Sequence, residues 1–320
     1  MKLEHYKITP LTESGLLTAM TVLLAMMATY LPIIGILAAL FWAIPIVLLT
    51  VRHGLRWAVM ALLVSGVVMA LVIEPVIALR MVVSFGPTGI MLGYGFRKGW
   101  SGPRVLAMSM LASVLAKLLS LGLVFAITSV NPMELQMDGL RESFEATFSA
   151  YEAVGMNEGE LSKAKEQMSQ SLDMVQMLIP LVIGLMGVVD TLINYYLAGC
   201  VMRRLGMAFP KLPPFSEWRL PVGFAYLMGF ALVGTYWGGT RDIDLLLRVA
   251  YNANMLALLA GLVQGISLLV FFAERHRISR ILQAVILFFL VTNGLLAQIV
   301  AFTGFFDMVI DYRKKLSKNP

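Results

Sequence analysis

With 59% hydrophobic and only 14% charged residues over 320 positions, the chain is more apolar and less charged than soluble domains. Apolar runs of membrane length recur from Gly15 to Ile310, which excludes a soluble single-core protein. A single cysteine, Cys200, excludes an internal disulfide, and the net charge of +6 comes with no DNA- or RNA-binding motif.

Residues 1–14 are polar, with Lys2, His5 and Lys7, and show no small-residue cleavage site. The first span, about Leu11–Leu31, is therefore expected to stay as an anchor. Pro32 and Gly35 break it. The second span, about Ile36–Val51, ends at Arg52, His53, Gly54 and Arg56. A third covers Trp57–Ile73. Glu74-Pro75 then marks a turn and a helix start, because proline suits the first helical turn. The fourth span runs to about Phe96 and is followed by Arg97, Lys98 and Arg104. The fifth, about 105–128, carries Lys117 in its middle.

An insert at 131–173 follows, with nine Asp/Glu against three Lys/Arg. Leu140, Phe144, Phe148 and Tyr151 form one apolar stripe on a charged helix that Gly155 and Gly159 end. A second helix is expected to start near Glu158 and run on into the sixth span, about 175–202, with Asp190 in its middle and a kink at Pro180. Arg203 and Arg204 close that span. A loop with Pro210, Pro213, Pro214 and Pro221 leads to the seventh span, about Leu220–Trp237, and Ala250–Ala273 is the eighth. Ile281–Ile310 is a single apolar stretch before a basic tail from Arg313 to Lys318.

Lys/Arg counts orient the chain. A cytoplasmic N-terminus puts the basic loops at 52–56, 97–104, 203–219 and 274–280 inside, and Glu74 and the acidic insert outside. The expected place is the bacterial cytoplasmic (inner) membrane. Nine spans would leave the basic tail outside. Thirty residues are long for one span and short for two. Two readings stand: the last stretch turns back at Thr292-Asn293-Gly294, or the tail breaks the rule.

Lys117 and Asp190 lie at similar depths, roughly 18 Å into a core of about 30 Å. A lone charge there costs at least about 2.5–3.5 kcal/mol on insertion scales, so the two are expected to face each other. They are either part of a solute path or a pair that fixes helix packing. Asn194, one turn past Asp190, extends the polar face. Arg80, near the outer end of the fourth span, is either an anion-binding group or a snorkelling side chain. Asn252, near the outer end of the eighth span at the depth of Arg80, is either a ligand contact or interhelical glue, as are Asn254, Gln264, Asn293 and Gln298. Small residues on the first span (Gly15, Ala19 and Ala25) offer a docking face for a partner membrane protein. Those on the fifth (Ser109, Ser113, Ala116, Ser120) read as internal packing. The glycine-rich run Gly93–Gly99 lacks a phosphate-loop ending and reads as a helix end with basic anchors. His5, His53 and His276 are far apart, and no protease or nucleophile-elbow motif occurs. No enzyme, metal site or cofactor is expected.

The chain resembles the YybS-like family of bacterial membrane proteins, whose function is not established. The resemblance rests on Pro210-Lys211-Leu212-Pro213 and Glu217-Trp218-Arg219-Leu220-Pro221. It continues through Asn254, Gln264-Gly265-Ile266-Ser267 and Phe271-Phe272, and ends in Gly304-Phe305-Phe306-Asp307-Met308 and Asp311-Tyr312-Arg313-Lys314. Pro45 and Arg52-His53-Gly54 extend it into the first half. Spans one to six are more distantly similar to the substrate-binding S components of energy-coupling-factor transporters. That similarity implies six helices with both ends cytoplasmic, and an energising ATPase–transmembrane module docked through small residues of the first helix, which Gly15, Ala19 and Ala25 match loosely.

The expected fold is all-α and polytopic, with eight or nine transmembrane helices. A six-helix S-component-like domain (1–204, with the acidic extracytoplasmic insert at 131–173) precedes a three-helix addition (205–320). The expected function is binding and transport of a small solute by Arg80, Lys117, Asp190, Asn194 and Asn252. The alternative is a membrane scaffold or assembly factor that recruits a protein. The expected partners are the lipid bilayer and the energising module or another membrane protein, with no nucleic acid.

Overall fold

A computed structural model describes residues 9–155 and 157–317; Lys2, His5, Lys7 and Lys318 lie outside these. Among the described residues there is no strand, and the chain is built of α-helices. Among the described residues, seven helices are long and apolar enough to cross a membrane, or eight if one bent pair counts as a span.

The first unit comprises the residues up to Lys165 together with Val182–Leu212. Its helices are α1 (Pro10–Tyr30), α2 (Pro32–Phe41), α3 (Ile44–His53), α4 (Leu55–Val72), α5 (Pro75–Arg97), α6 (Gly102–Thr128), α7 (Pro132–Ala153) and parts of α8 (Glu158–Arg204). Proline occupies the first turn of α1, α2, α3, α5, α6 and α7, where its missing N–H is not needed. The predicted second span is α2 plus α3, interrupted at Trp42 and Ala43 but counting as one 22-residue span. Trp42 is fully buried there and tilts against Phe85. Gly54 ends α3 at φ 94°, a conformation that strains any residue with a side chain.

Polar contacts gather the basic loops of this unit at one end. Glu13, in the first turn of α1, bonds to Arg52 and to His53 at the end of α3. Arg97, at the end of α5, donates to the Val51 carbonyl. The Tyr195 hydroxyl donates to the Pro210 carbonyl, and Phe209 packs on Gly199. The basic segments at 52–54, 97 and 210–211 therefore share an end with the start of α1, as the alternating spans require.

Past the insert, α8 continues without a stop for 47 residues, roughly 70 Å of helix, with Pro180 inside it. The insert closes on itself through Lys165, which pairs with Glu152 at 2.8 Å and lies over the Phe148 ring.

The second unit holds Glu166–Leu181 and the chain from Pro213 on. The boundary thus falls at 212/213 rather than at 204, because Phe209 and Pro210 are fastened to the end of α8. Its further helices are α9 (Gly223–Thr240), α10 (Asp244–Arg275), α11 (Arg280–Thr292), α12 (Gly294–Ile310) and α13 (Tyr312–Ser317). α9, the predicted seventh span, is only 18 residues long, with glycines and aromatics that lower its hydropathy, and falls outside the count of seven.

Ile281–Ile310 is not one continuous helix. It breaks at Asn293, whose side chain caps α12, and α11 and α12 meet at 105°. α12 crosses α10 where glycines let backbones touch. A Cβ on Gly304 would strike the Gly261 carbonyl, and one on Gly265 the Val300 carbonyl. Beyond that crossing Asp307 meets Gln264, and Arg313 meets Ser267 and Phe271. The two helices therefore run in the same direction. Of the two readings for this stretch, the turn at Thr292–Gly294 is the one observed. It returns the tail to the end of the unit where α10 finishes.

Candidate functional site

The polar site of the first unit is built on α6 and α8. Small residues allow the approach. Ser109, Ser113, Ala116 and Ser120 form the buried stripe of α6, as expected for internal packing. A Cβ on Gly187 of α8 would lie 2.8 Å from Val114 Cγ2. This closeness brings Lys117 Nζ to 2.8 Å from Asp190 Oδ2, with both side chains nearly buried at 11% and 12% exposure. Lys117 also donates to Ser113 Oγ at 3.1 Å, and its ammonium stands 4.8 Å from the centre of the Phe85 ring on α5. One carboxylate oxygen, one hydroxyl and one ring face thus surround the cation.

Asp190 is held from several sides. Ser113 Oγ donates to Oδ2 at 3.2 Å, and Asn194 Nδ2 donates to Oδ1 at 2.8 Å and to the Asp190 carbonyl. Thr191, fully buried beside it, donates to the Gly187 carbonyl. Two buried oxygens of this interface, Ser109 Oγ and Asn194 Oδ1, have no hydrogen-bond partner among the described residues. The result is a neutral pair of charges in a compact polar patch that keeps spare acceptor capacity.

The structure thus brings Lys117, Asp190 and Asn194 together. Arg80 stands near them by its backbone: its carbonyl lies 3.4 Å from Ser120 Oγ, one turn beyond Lys117 on α6. The Arg80 side chain is exposed, and among the described residues it has no hydrogen-bond or ion-pair partner.

Asn252 does not join this group. It sits in the second unit, where its amide is fully used. Oδ1 accepts from the Leu181 N–H at 3.2 Å, and Nδ2 donates to the carbonyls of Met177 and Arg248 at 2.7 and 2.8 Å. Leu181 N–H and Met177 C=O would bond each other in an undisturbed helix, and Pro180 lies between them. Asn252 thus satisfies backbone groups next to the proline, a role that neighbouring helices commonly fill in membranes.

The first-helix set also divides. Gly15 and Ala19 line an open apolar groove of about 570 Å³ between α1 and α4, with Trp57 and Val64 on the far wall. Ala25 is fully buried in the unit's own core and cannot meet a partner.

A second polar cluster was not apparent as such in the sequence. In the second unit, Arg313 is 4% exposed and lies 3.5 Å from Asp307 Oδ2. It donates to the Ser216 and Trp218 carbonyls at 2.5 and 3.2 Å and to Ser267 Oγ at 3.0 Å. Gln264 links Asp307 (2.6 Å) to the Leu220 N–H (2.9 Å). Arg219 and Asp311 pair beside it at 2.7 Å. Burial pushes the Arg313 guanidinium below its ordinary value, Asp307 pulls it back up, and it stays a cation at neutral pH. The only hint was that, Ser216 apart, these residues belong to the motifs carrying the family resemblance. Their convergence shows that the motifs from Glu217 onward share one packing unit. Among the described residues, no group of His, Cys, Asp and Glu could hold a metal ion.

A family model described as a predicted membrane protein, DUF2232, matches residues 19–308. The uncharacterized protein YybS of Bacillus subtilis (strain 168) is 22% identical over 317 residues, covering 96% of this chain and 98% of that protein. No solved structure matches.

Proposed function

Because the chain belongs to the DUF2232 family of predicted membrane proteins, we propose that it works within the bilayer as a carrier of a small anionic solute. Lys117, Asp190 and Asn194 form its inner site and Arg80 is a receiving group toward the surface. The observation that supports this most is the charge balance of that patch. Lys117 is held by a carboxylate, a hydroxyl and a ring face, all of which an incoming anion could replace. Arg80, one turn further along, has no side-chain partner among the described residues. Away from the helix ends, α5, α6 and the Asp190 stretch of α8 therefore carry two cations, Lys117 at mid-helix and Arg80 nearer the outer end, against one carboxylate. Ionisable groups at membrane depth default to such roles.

The same reading takes the membrane to be the bacterial cytoplasmic one, with the N-terminus and the basic loops on the cytoplasmic side. The clustering of Arg52, His53, Arg97 and Lys211 near the start of α1 supports one shared side. The arrangement works by binding and carries no catalytic constellation, so the proposal is for a non-enzymatic protein. The test is a thermal-shift screen of the purified protein against small carboxylates and phosphates. Anions should raise the melting temperature of the wild type and leave Lys117→Ala and Arg80→Ala unmoved. A screen with no shift for any anion removes the reading.

A second reading has its own support. The acidic insert exposes Leu140 and Tyr151 on α7 and Val154 just past its end, and the groove beside Gly15 and Ala19 is unoccupied by the chain. Both favour recruitment of a protein partner, the groove suiting an energising ATPase–membrane module. Gentle co-purification from native membranes distinguishes this reading by whether such a module comes along.

A further inference from the structure

The anionic-solute reading has a consequence for the partner that the anion displaces. Lys117 has one carboxylate partner, Asp190, and among the described residues no other cation bonds to Asp190. The groups facing Asp190 are Ser113 and Lys117 from α6 and Asn194 from its own helix. From α5, Phe85 faces Lys117 and the Arg80 backbone meets Ser120. The other charged groups of these helices, Glu74, Arg97, Arg104, Arg203 and Arg204, are at helix ends, about 16 Å or more away along the axes. Asp173 is further still along α8. None of them stands where it could take over from Lys117, and the Arg80 side chain is exposed and bonds to no carboxylate among the described residues.

An anion that captures the Lys117 ammonium therefore leaves Asp190 as a lone carboxylate at membrane depth, held only by a hydroxyl and an amide. A buried charge that loses its partner is the unfavourable state of such a pair. The carboxylate has one way to be neutralised without a new cation, which is to take a proton.

We propose that the Lys117–Asp190 pair is a charge-exchange site that couples one anion to one proton. The charges balance in both states. Before exchange, ammonium and carboxylate cancel. After it, the ammonium is paired with the anion, and one proton from adjoining water sits on an oxygen of Asp190. Ser113 can then turn its hydroxyl to serve the neutral acid. Anion and proton enter and leave together, and the membrane potential does no net work on the loaded site. This rests on the anionic-solute reading, and the experiment has one arm that needs no solute.

Infrared difference spectroscopy of the carboxyl stretch tests it in the full-length protein. Lys117→Met keeps an apolar stem against Phe85 and mimics loss of the cation. At neutral pH it should show the band of one protonated carboxyl per chain, absent from the wild type and abolished by adding Asp190→Asn. In the second arm, wild type with saturating sodium formate should gain the same band, and Asp190→Asn should not. If Lys117→Met fails to fold, the formate arm alone decides. Absence of the band in an arm that yields folded protein overturns the coupling. A formate-induced rise in melting temperature without the band removes the coupling and leaves anion binding standing. A band in Lys117→Met with neither shift nor band on formate also overturns the coupling and counts against the anion reading itself.

Discussion

Lys117 Nζ and Asp190 Oδ2 stand 2.8 Å apart, joining α6 to α8 across 73 residues of sequence. The pair is nearly buried, so removing one partner strands the other. Lys117→Leu or Asp190→Leu should each lower stability by about 3–5 kcal/mol. The double variant Lys117→Met/Asp190→Leu should recover most of that loss, because no charge is left without a partner. Melting curves in one detergent, read as a double-mutant cycle, check this. Near-additive losses would show that the two side chains do not depend on each other.

Asn252 carries a different expectation. Asn252→Leu leaves the Leu181 N–H and the Met177 carbonyl without the amide they use, at a cost of about 1–3 kcal/mol. Adding Pro180→Ala lets α8 close its own ladder, so the loss should shrink by at least about 0.5 kcal/mol. Anion-induced melting shifts should be unaltered in Asn252→Leu, since the residue is no part of the Lys117 patch. Loss of those shifts in folded Asn252→Leu would return it to the site.

Gly304 tests the helix crossing in the second unit. A side chain there would strike the Gly261 carbonyl. Gly304→Leu should destabilise by about 3 kcal/mol or more, the upper end of overpacking effects, because the neighbour is backbone and cannot rotate away. Gly122→Ala is the contrast, since none of the described residues lies within 4 Å of its added carbon. It should be neutral or slightly stabilising by helix propensity. Thermal melts of the two variants side by side give the answer.

The bend at Asn293 makes a topological prediction. In a Cys200→Ser background, single cysteines at Lys98 and Lys314 should react with a membrane-impermeant thiol reagent only from the cytoplasmic side. Cysteines at Tyr151 and Asp242 should react only from outside. Labelling of Lys314→Cys from outside would put the tail on the far side and contradict the return of α12.

The Lys117–Asp190 contact was legible because two opposite charges at matching depth in apolar helices have few other solutions. The unbroken α8 was legible too, as no stop signal separates Glu158 from the sixth span. Arg313 was not. Its run of basic neighbours reads as a solvated tail, and two of the groups that hold it are the carbonyls of Ser216 and Trp218, which leave no trace in side-chain identity. Asn252 was read as a ligand contact or interhelical glue, but its service to the backbone beside Pro180 depends on how α10 faces α8. Glu13 was passed over as part of a polar end, although it ties α1 to α3 through Arg52 and His53. Ala25 shows the limit of a small-residue pattern, which does not say which face looks inward.

Arg313→Ala should cost about 3–5 kcal/mol, and Arg313→Lys should recover little of it. A lysine cannot bond the Ser216 and Trp218 carbonyls and Ser267 in one planar fork. Melting and limited proteolysis of the two variants check the order. A fully stable Arg313→Lys would mean that charge alone suffices.

The place of Arg313 also bears on how the protein is made. The guanidinium that fills the space among Ser216, Trp218 and Ser267 comes from α13, which follows α9 and α10 in the chain. During synthesis, α9 and α10 are made before the group that serves those carbonyls. The second unit can lock only after Arg313 has been added, so its two longest helices wait on a side chain that neither of them carries.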